Sequence, residues 1–262
     1  MDPVITSAHN QTIKQLRKLS TSSKARRDTS TYIAEGAHLV ASYLSTGQTP
    51  ISYVCAESAL ENPEIQQLID KLQEVDRTIT ADSLFESLTS IHANTGILLL
   101  FTPKHPKTTD IPANSTSILL EDVQDPGNLG TILRTATAAG VSDVFLSSGC
   151  TSPWSQKALR AGMGAQFGVT IHEDTDLSSL IAASPVPVFA TVLSSKSTSL
   201  YTLDLARPLA WLFGSEGQGL SETLSRQVAT HILIPQNNTP VESLNVAAAA
   251  AVCLYEQYRQ LS

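Results

Sequence analysis

One stretch limits the fold more than any other. A short apolar run, SILLE (Ser117–Glu121), is followed by NLGTILRTATAAG (Asn128–Gly140) at helical spacing and then by DVFLS (Asp143–Ser147). Strand, helix and strand at this length make a crossover unit, and consecutive strands joined that way run parallel. Further strands are predicted over Val186–Val192, Leu209–Phe213 and His231–Ile234, with helical stretches between them and a final helix over Asn245–Gln260. The alternation predicts an α/β fold: a mainly parallel sheet with helices on both faces.

The first hundred residues read as a separate, smaller αβα unit. Ile13, Leu16 and Leu19 place one apolar stripe on a helix over Asn10–Leu19. Tyr32–Ala34 is a short strand, and Glu35-Gly36 turns into a helix through Leu39, Val40 and Leu44. Ile51–Cys55 is a strand, Pro63 opens a helix, Ala81–Leu88 forms a short one, and Gly96–Phe101 is an apolar strand. Thr102–Asn114 (TPKHPKTTDIPAN) holds three prolines and no apolar period, so it reads as a linker. The expected division is residues 1–103, a linker over 104–115, and a larger domain over 116–262.

With 42% hydrophobic and 16% charged residues, the chain can bury a core and is not a disordered polymer. No apolar run approaches ~18 residues, and MDPVITSAHN lacks the features of a secretory signal, so a cytoplasmic chain is expected. Cys55, Cys150 and Cys253 lie far apart and form no C-x-x-C pair, which points to no disulfide framework and no metal site. The net charge of -7 argues against a nucleic-acid partner, but its distribution argues the other way. Lys14, Arg17, Lys18, Lys24, Arg26 and Arg27 crowd the first thirty residues, opposed there only by Asp2 and Asp28. Screening over roughly 8–10 Å lets a local basic patch act independently of the total. On charge alone, a phosphate-binding patch and a solvated helix face both remain open.

Three later segments carry chemistry-bearing residues. In EDVQDPGNLGTILRTATAAG (Glu121–Gly140), Asp125-Pro126-Gly127-Asn128 predicts a sharp turn with Asn128 as the helix cap. Arg134, four residues beyond Gly130, leans back toward that turn, at the strand end where open α/β sheets place ligands. In LFGSEGQGL (Leu212–Leu220) a buried strand runs into three glycines interleaved with Ser215, Glu216 and Gln218. The segment is neither a Walker loop nor a dinucleotide fingerprint, yet its glycines allow a close backbone approach to a ligand. In HILIPQNNTPVESLNVAAAAAVCLYEQ (His231–Gln257), Ser243 and Asn245 stand where a long helix opens, and the run Ala247–Ala251 permits close helix packing. Each segment alone is also compatible with an ordinary turn or a capped core helix. None of the six histidines is assigned a role.

Taken in this order, N-L-G-x-x-x-R, then G-x-E-G-x-G, then S-L-N-V, the segments resemble the three motifs of the SpoU/TrmH family of RNA 2′-O-ribose methyltransferases in the SPOUT superfamily. The resemblance covers about Ser117–Gln260. The segments ITSAHNQTIKQLRKL (Ile5–Leu19) and YIAEGAHLV (Tyr32–Val40) resemble the family's N-terminal substrate-binding domain. The resemblance implies a deep trefoil knot in the C-terminal sheet and a small N-terminal RNA-binding domain. It implies S-adenosylmethionine as methyl donor, held near Thr191, Val192, Gly214, Glu216, Ile234, Ser243 and Leu244. It implies a homodimer, with the alanine helix in part of the contact, and RNA as substrate, ribosomal RNA rather than transfer RNA because a separate N-terminal domain is present. The implied catalytic set is Arg134, Asn128, Glu216, Ser243 and Asn245. A guanidinium is effectively always protonated, so for Arg134 a phosphate clamp fits as well as activation of the hydroxyl. Lys14, Arg17, Lys18, Arg26, Arg27 and Arg160 are the expected RNA contacts, with packing an equal alternative for Arg160. Two departures stand out: Gly162 replaces a common serine, and the loop Pro235–Val241 is slightly long. A tRNA-directed enzyme and a catalytically inactive RNA-binding assembly factor are the competing readings.

Overall fold

The structure is a computed structural model and describes residues 3–89, 96–104, 106, 110–194, 196–237 and 243–262. The chain divides into two units. One comprises Met1–Lys104 with Trp154–Phe167, the other His105–Pro153 with Gly168–Ser262.

The smaller unit contains β1 (Val4–Ile5), α1 (Gln11–Thr21), α2 (Ser23–Thr29), β2 (Tyr32–Glu35), α3 (Ala37–Leu44), β3 (Ser52–Ala56), α4 (Pro63–Asp70), β4 (Asp76–Thr80), α5 (Asp82–Glu86) and β5 (Ile97–Phe101). Its sheet runs β1-β4-β3-β5-β2; β4 lies parallel to β1 and β3, whereas β5 lies antiparallel to β3 and β2. Ile13, Leu16 and Leu19 bury the inner face of α1, and Asn10 caps it by accepting from the Thr12 N–H. All five residues of β5 are buried, as its unbroken ILLLF run requires between two partners. Apolar periodicity does not reveal strand β4 or helix α2. DRTIT has one large apolar residue, Ile79, and no alternation, so β4 exists through five residue pairs with β3.

The larger unit contains β6 (Ser117–Leu120), α6 (Pro126–Ala138) and β7 (Asp143–Leu146). After α7 (Gln156–Gly162), which belongs to the smaller unit, come β8 (Thr170–His172), α8 (Leu177–Ala182), β9 (Val188–Thr191), β10 (Thr198–Ser199), β11 (Ala210–Phe213), α9 (Glu222–Gln227), β12 (Thr230–Leu233) and α10 (Val246–Leu261). The seven strands run β10-β12-β9-β11-β6-β7-β8, and every pairing is parallel. Strands β6 and β11 are buried along their whole length, which their continuous apolar runs demand. Leu120 pairs with Phe213, and this register makes the turns after β6 and β11 leave the sheet side by side. Helix α10 packs on α6 and is pinned by buried Gln257. The Gln257 Oε1 accepts from Trp211 Nε1 at 2.8 Å, and its Nε2 donates to Thr116 Oγ1 at 2.9 Å and to the Arg207 carbonyl at 3.0 Å. No helix among the described residues is long and apolar enough to cross a membrane.

The segment Trp154–Phe167 follows β7 in sequence but packs with the smaller unit. The reason is aromatic burial: Phe101 meets Trp154 and Phe167 at ring-centroid distances of 6.1 and 5.3 Å, and Tyr43 meets Phe167 at 5.3 Å. Gly162 has its own local cause. A Cβ there would overlap the Gln166 side chain, whose Nε2 donates to the Ala158 carbonyl at 2.8 Å.

Candidate functional site

The expected turn at Asp125–Asn128 is instead the first turn of α6. Asp125 is the cap: its Oδ1 accepts from the N–H groups of Gly127 at 2.7 Å and Asn128 at 2.9 Å, and Pro126 takes the first helical position. Proline fits there because that N–H has no helical partner. Asn128, predicted as the cap, is the third helical residue, and its side chain is released for other work. The D-P pair is the sequence signal that locates the helix start.

Asn128 joins the three motifs. Its Nδ2 donates to Glu216 Oε1 at 3.0 Å, while its Oδ1 accepts from Asn245 Nδ2 at 2.9 Å. The amide orientation follows from its partners, since a carboxylate can only accept. Asn245 in turn caps α10, its Oδ1 accepting from Ala247 and Ala248 N–H at 2.9 and 3.3 Å. Glu216 also accepts from the N–H groups of Gln124 at 3.3 Å and Asp125 at 3.2 Å. Desolvation pushes the Glu216 carboxyl up, but hydrogen bonds from Asn128, its own N–H, Gln124 and Asp125 outweigh it and hold the group below its ordinary value.

Behind this chain of contacts lies a cavity of about 590 Å³. Thr191, Val192, Gly214, Glu216, Ile234, Ser243 and Leu244 all line it, as does Asn245. Among further lining residues that sequence reasoning did not assign to the donor are Phe213, Gln218, Leu220, Gln236 and Ala249. Gly214 is required where it stands, because a Cβ there would overlap the backbone of Gly219 and Leu220. The loop folds tightly on itself: the Ser215 and Gly219 backbones exchange two hydrogen bonds, of 3.0 and 3.1 Å. Residues 238–242, which include most of the long polar loop Pro235–Val241, lie outside the described residues, as do His92 and His105.

Arg134 and Asn128 are not part of the cavity lining. Arg134 is exposed on α6, and no hydrogen bond or ion pair among the described residues holds it. The expected RNA contacts divide. Lys14, Lys18 and Arg27 are exposed, and Arg17 donates through Nη2 to Ser87 Oγ at 2.9 Å. Arg26 is turned inward: its Nη1 donates to the carbonyls of Leu19 at 2.7 Å and Ser20 at 3.3 Å, and burial lowers its pKa from the ordinary value. Arg160 pairs at 3.7 Å with Glu35, whose side chain is buried, which favours the packing alternative for that residue.

A glycine loop at the carboxyl end of a central parallel strand, tied to a helix bearing Asn128 and Arg134 and to a capped alanine helix, defines the class that the motifs suggest. The profile of the SpoU rRNA Methylase family matches residues 115–255, and that of the MRM3-like substrate binding domain matches residues 10–98. The chain therefore belongs to the SpoU rRNA methylase family and is a methyltransferase acting on RNA. An uncharacterized tRNA/rRNA methyltransferase, slr1673 of Synechocystis, is 34% identical over 98% of this chain and 93% of its own. The 23S rRNA (guanosine(2553)-2′-O)-methyltransferase RlmP of Bacillus subtilis is 30% identical over 96% and 97%. Among solved structures, an AdoMet-bound rRNA methyltransferase from Sinorhizobium meliloti superposes with a TM-score of 0.88 at 30% identity, covering 99% of this chain and 98% of that one.

Proposed function

We propose that this chain transfers a methyl group from S-adenosylmethionine to a ribose 2′-hydroxyl of ribosomal RNA. The observation that carries the reading is the contact chain Glu216–Asn128–Asn245 standing at a cavity of about 590 Å³. Support comes from two relatives of similar length: the Bacillus protein is a 23S rRNA 2′-O-methyltransferase, and the Sinorhizobium structure is AdoMet-bound.

The residues fit such a donor. Gly214 lets the loop close tightly on itself at the cavity, where a Cβ would force the Gly219–Leu220 backbone aside, and Val192, Phe213, Leu220 and Leu244 supply apolar wall beside backbone polar groups. When bound, the donor supplies an electrophilic methyl group on a sulfonium. The chain must hold the hydroxyl in line, within about 3–3.5 Å of that carbon, and ease the loss of its proton. Glu216 is badly suited to take the proton, because its carboxylate is held ionised and already accepts hydrogen bonds from Gln124, Asp125 and Asn128. Its role is to lock the turn after β6 against the glycine loop, with Asn128 and Asn245 fixing α6 against α10. Arg134, on the surface of α6, clamps a phosphate beside the ribose and so stabilises the developing alkoxide, while the hydroxyl proton leaves to solvent water. Ser243, which lines the cavity, offers its hydroxyl to the donor, and Lys14, Arg17, Lys18 and Arg27 steer the RNA backbone.

The same proposal includes a cytoplasmic homodimer and the family's trefoil knot. The outer face of α10 leaves Tyr255 and Tyr258 about half exposed, and Leu244 is exposed just before the helix starts, which suits a partner surface. The test compares 2′-O-methylation site by site along ribosomal and transfer RNA from cells with and without the protein. Loss of one ribosomal mark is expected. Loss of a tRNA mark alone would overturn the substrate and keep the chemistry. An unchanged map, with no S-adenosylmethionine binding by calorimetry, would overturn the enzymatic reading.

A further inference from the structure

Glu121 and Glu216 form a reciprocal clasp between the two turns that leave β6 and β11. Glu216, in the glycine loop, accepts from the Gln124 and Asp125 N–H groups of the β6 turn. Glu121, at the end of β6, accepts through Oε2 from the N–H of Ser221, where the glycine loop ends, at 2.8 Å. Each turn thus places a carboxylate on the backbone of the other. The Glu121 N–H also donates to the Phe213 carbonyl at 2.9 Å, so its own backbone is fixed in the sheet register.

The geometry matters because every residue from Phe213 to Leu220 lines the cavity. This arch is closed at its base by the Ser215–Gly219 pair, and its tip is tied by Glu216. Only its outgoing limb remains to be anchored before α9 begins, and Glu121 supplies that anchor. Ser221 also caps α9, its Oγ accepting from Leu224 N–H at 3.3 Å. The limb is therefore held on one side by its own helix and on the other by Glu121.

We propose that Glu121 is a positioning residue for the methyl-donor pocket, acting through the Ser221 N–H to hold the glycine arch at the width the donor needs. The inference rests on the donor reading given above. A hydrogen bond with a carboxylate acceptor is stronger than a neutral one, and a positioning role additionally requires that the side chain span the gap to Ser221. Two conservative variants separate the two. Glu121→Asp keeps the charge and shortens the side chain by one methylene, so it cannot reach Ser221. Glu121→Gln keeps the length and an acceptor oxygen and loses the charge.

The experiment titrates S-adenosylmethionine into the full-length protein by calorimetry, follows methylation kinetics, and records melting temperature and amide exchange at Ser221. Expected for Glu121→Asp is a Kd and a KM for the donor raised about tenfold. Its kcat and KM for RNA should be unchanged, and the Ser221 amide should exchange faster. Glu121→Gln is expected within about threefold of wild type. Wild-type affinity in Glu121→Asp would overturn the proposal. So would a loss shared equally by kcat, both KM values and melting temperature, which marks general destabilisation. If Glu121→Gln were as weak as Glu121→Asp, charge rather than reach would be responsible, and the positioning role would fall. Failure of the wild-type protein itself to bind the donor would instead overturn the donor reading, and this inference with it.

Discussion

Asn245 donates from Nδ2 to Asn128 Oδ1 at 2.9 Å, across 117 residues of sequence. Each amide makes both kinds of contact: Asn245 also caps α10, and Asn128 also holds Glu216. Exchanging Asn128 for aspartate leaves the shape intact and places a second carboxylate against Glu216, which must then repel it or take up a proton. Asn128→Asp is expected to lower kcat about 100-fold, the scale of misplacing reacting groups by roughly 1 Å. A methylation assay at saturating donor checks this, and wild-type kcat would remove the amide from the mechanism.

Arg134 is exposed and anchored by no described residue, so its removal should leave the pocket undisturbed. Arg134→Ala is expected to abolish methylation with donor affinity retained. Single-turnover assays alongside calorimetry measure the two separately. Full activity would take Arg134 out of the reaction.

Gly214 has no room for a Cβ against the Gly219–Leu220 backbone. Gly214→Ala should cost about 1–3 kcal/mol by overpacking and should impair donor binding more than it impairs folding. Gly217, at the open edge of the same loop, meets nothing within 4 Å, so Gly217→Ala should keep the wild-type melting temperature. Equal melting shifts in the two variants would contradict the packing argument.

The basic residues near the N-terminus should behave as two groups. Reversing charge at Lys14, Arg17 and Lys18 is expected to weaken RNA binding and to flatten its dependence on salt, by roughly 0.7–0.9 in log–log slope for each phosphate no longer neutralised. Arg26→Ala should mainly lower stability, by about 1 kcal/mol, because its guanidinium satisfies the carbonyls ending α1. Filter binding across a salt series, with melting curves, separates these outcomes. An unchanged slope for the triple variant would leave α1 as a solvated face.

The Glu216 carboxyl is held below its ordinary value, so its folded-state preference is for the ionised form. Its contribution to loop stability is present above the unfolded carboxylate pKa of roughly 4.3 and is lost as pH falls through the lower folded value. Donor affinity should therefore persist down to the ordinary carboxylate range and fail only below it. In Asn128→Ala, which removes the side-chain donor among the groups that stabilise the carboxylate, that acid limb should move to higher pH. Calorimetry between neutral and acid pH reads the shift, and coincident limbs would refute the role of Asn128.

Local rules account for much of what is legible in the sequence. Ile13, Leu16 and Leu19 do bury one face of α1, Pro63 does open α4, and Asn245 does cap α10. Those features depend on helical spacing and on backbone groups close by in the chain. The parallel strands are legible for a similar reason, since β6, β7 and β11 are apolar runs too short for helices. Where short-range signals compete, a turn reading misplaces the cap at Asn128, although Asp125-Pro126 holds the information.

Motif order makes the cavity residues nameable, but not the bonds that hold them together. Glu216 lies 88 residues from Asn128, and Glu121 lies 100 from Ser221. Those bonds exist because Leu120 and Phe213 share a register position in a parallel sheet, which releases two distant turns side by side at the carboxyl ends of adjacent strands. The inward turn of Arg26 and the capture of Trp154–Phe167 by the aromatic cluster of the smaller unit are likewise decided by tertiary packing. Residue type and spacing encode hydrogen bonds and apolar faces along one element. Which carboxylate meets which amide depends on strand order and register, and these are set only when the whole core is buried at once.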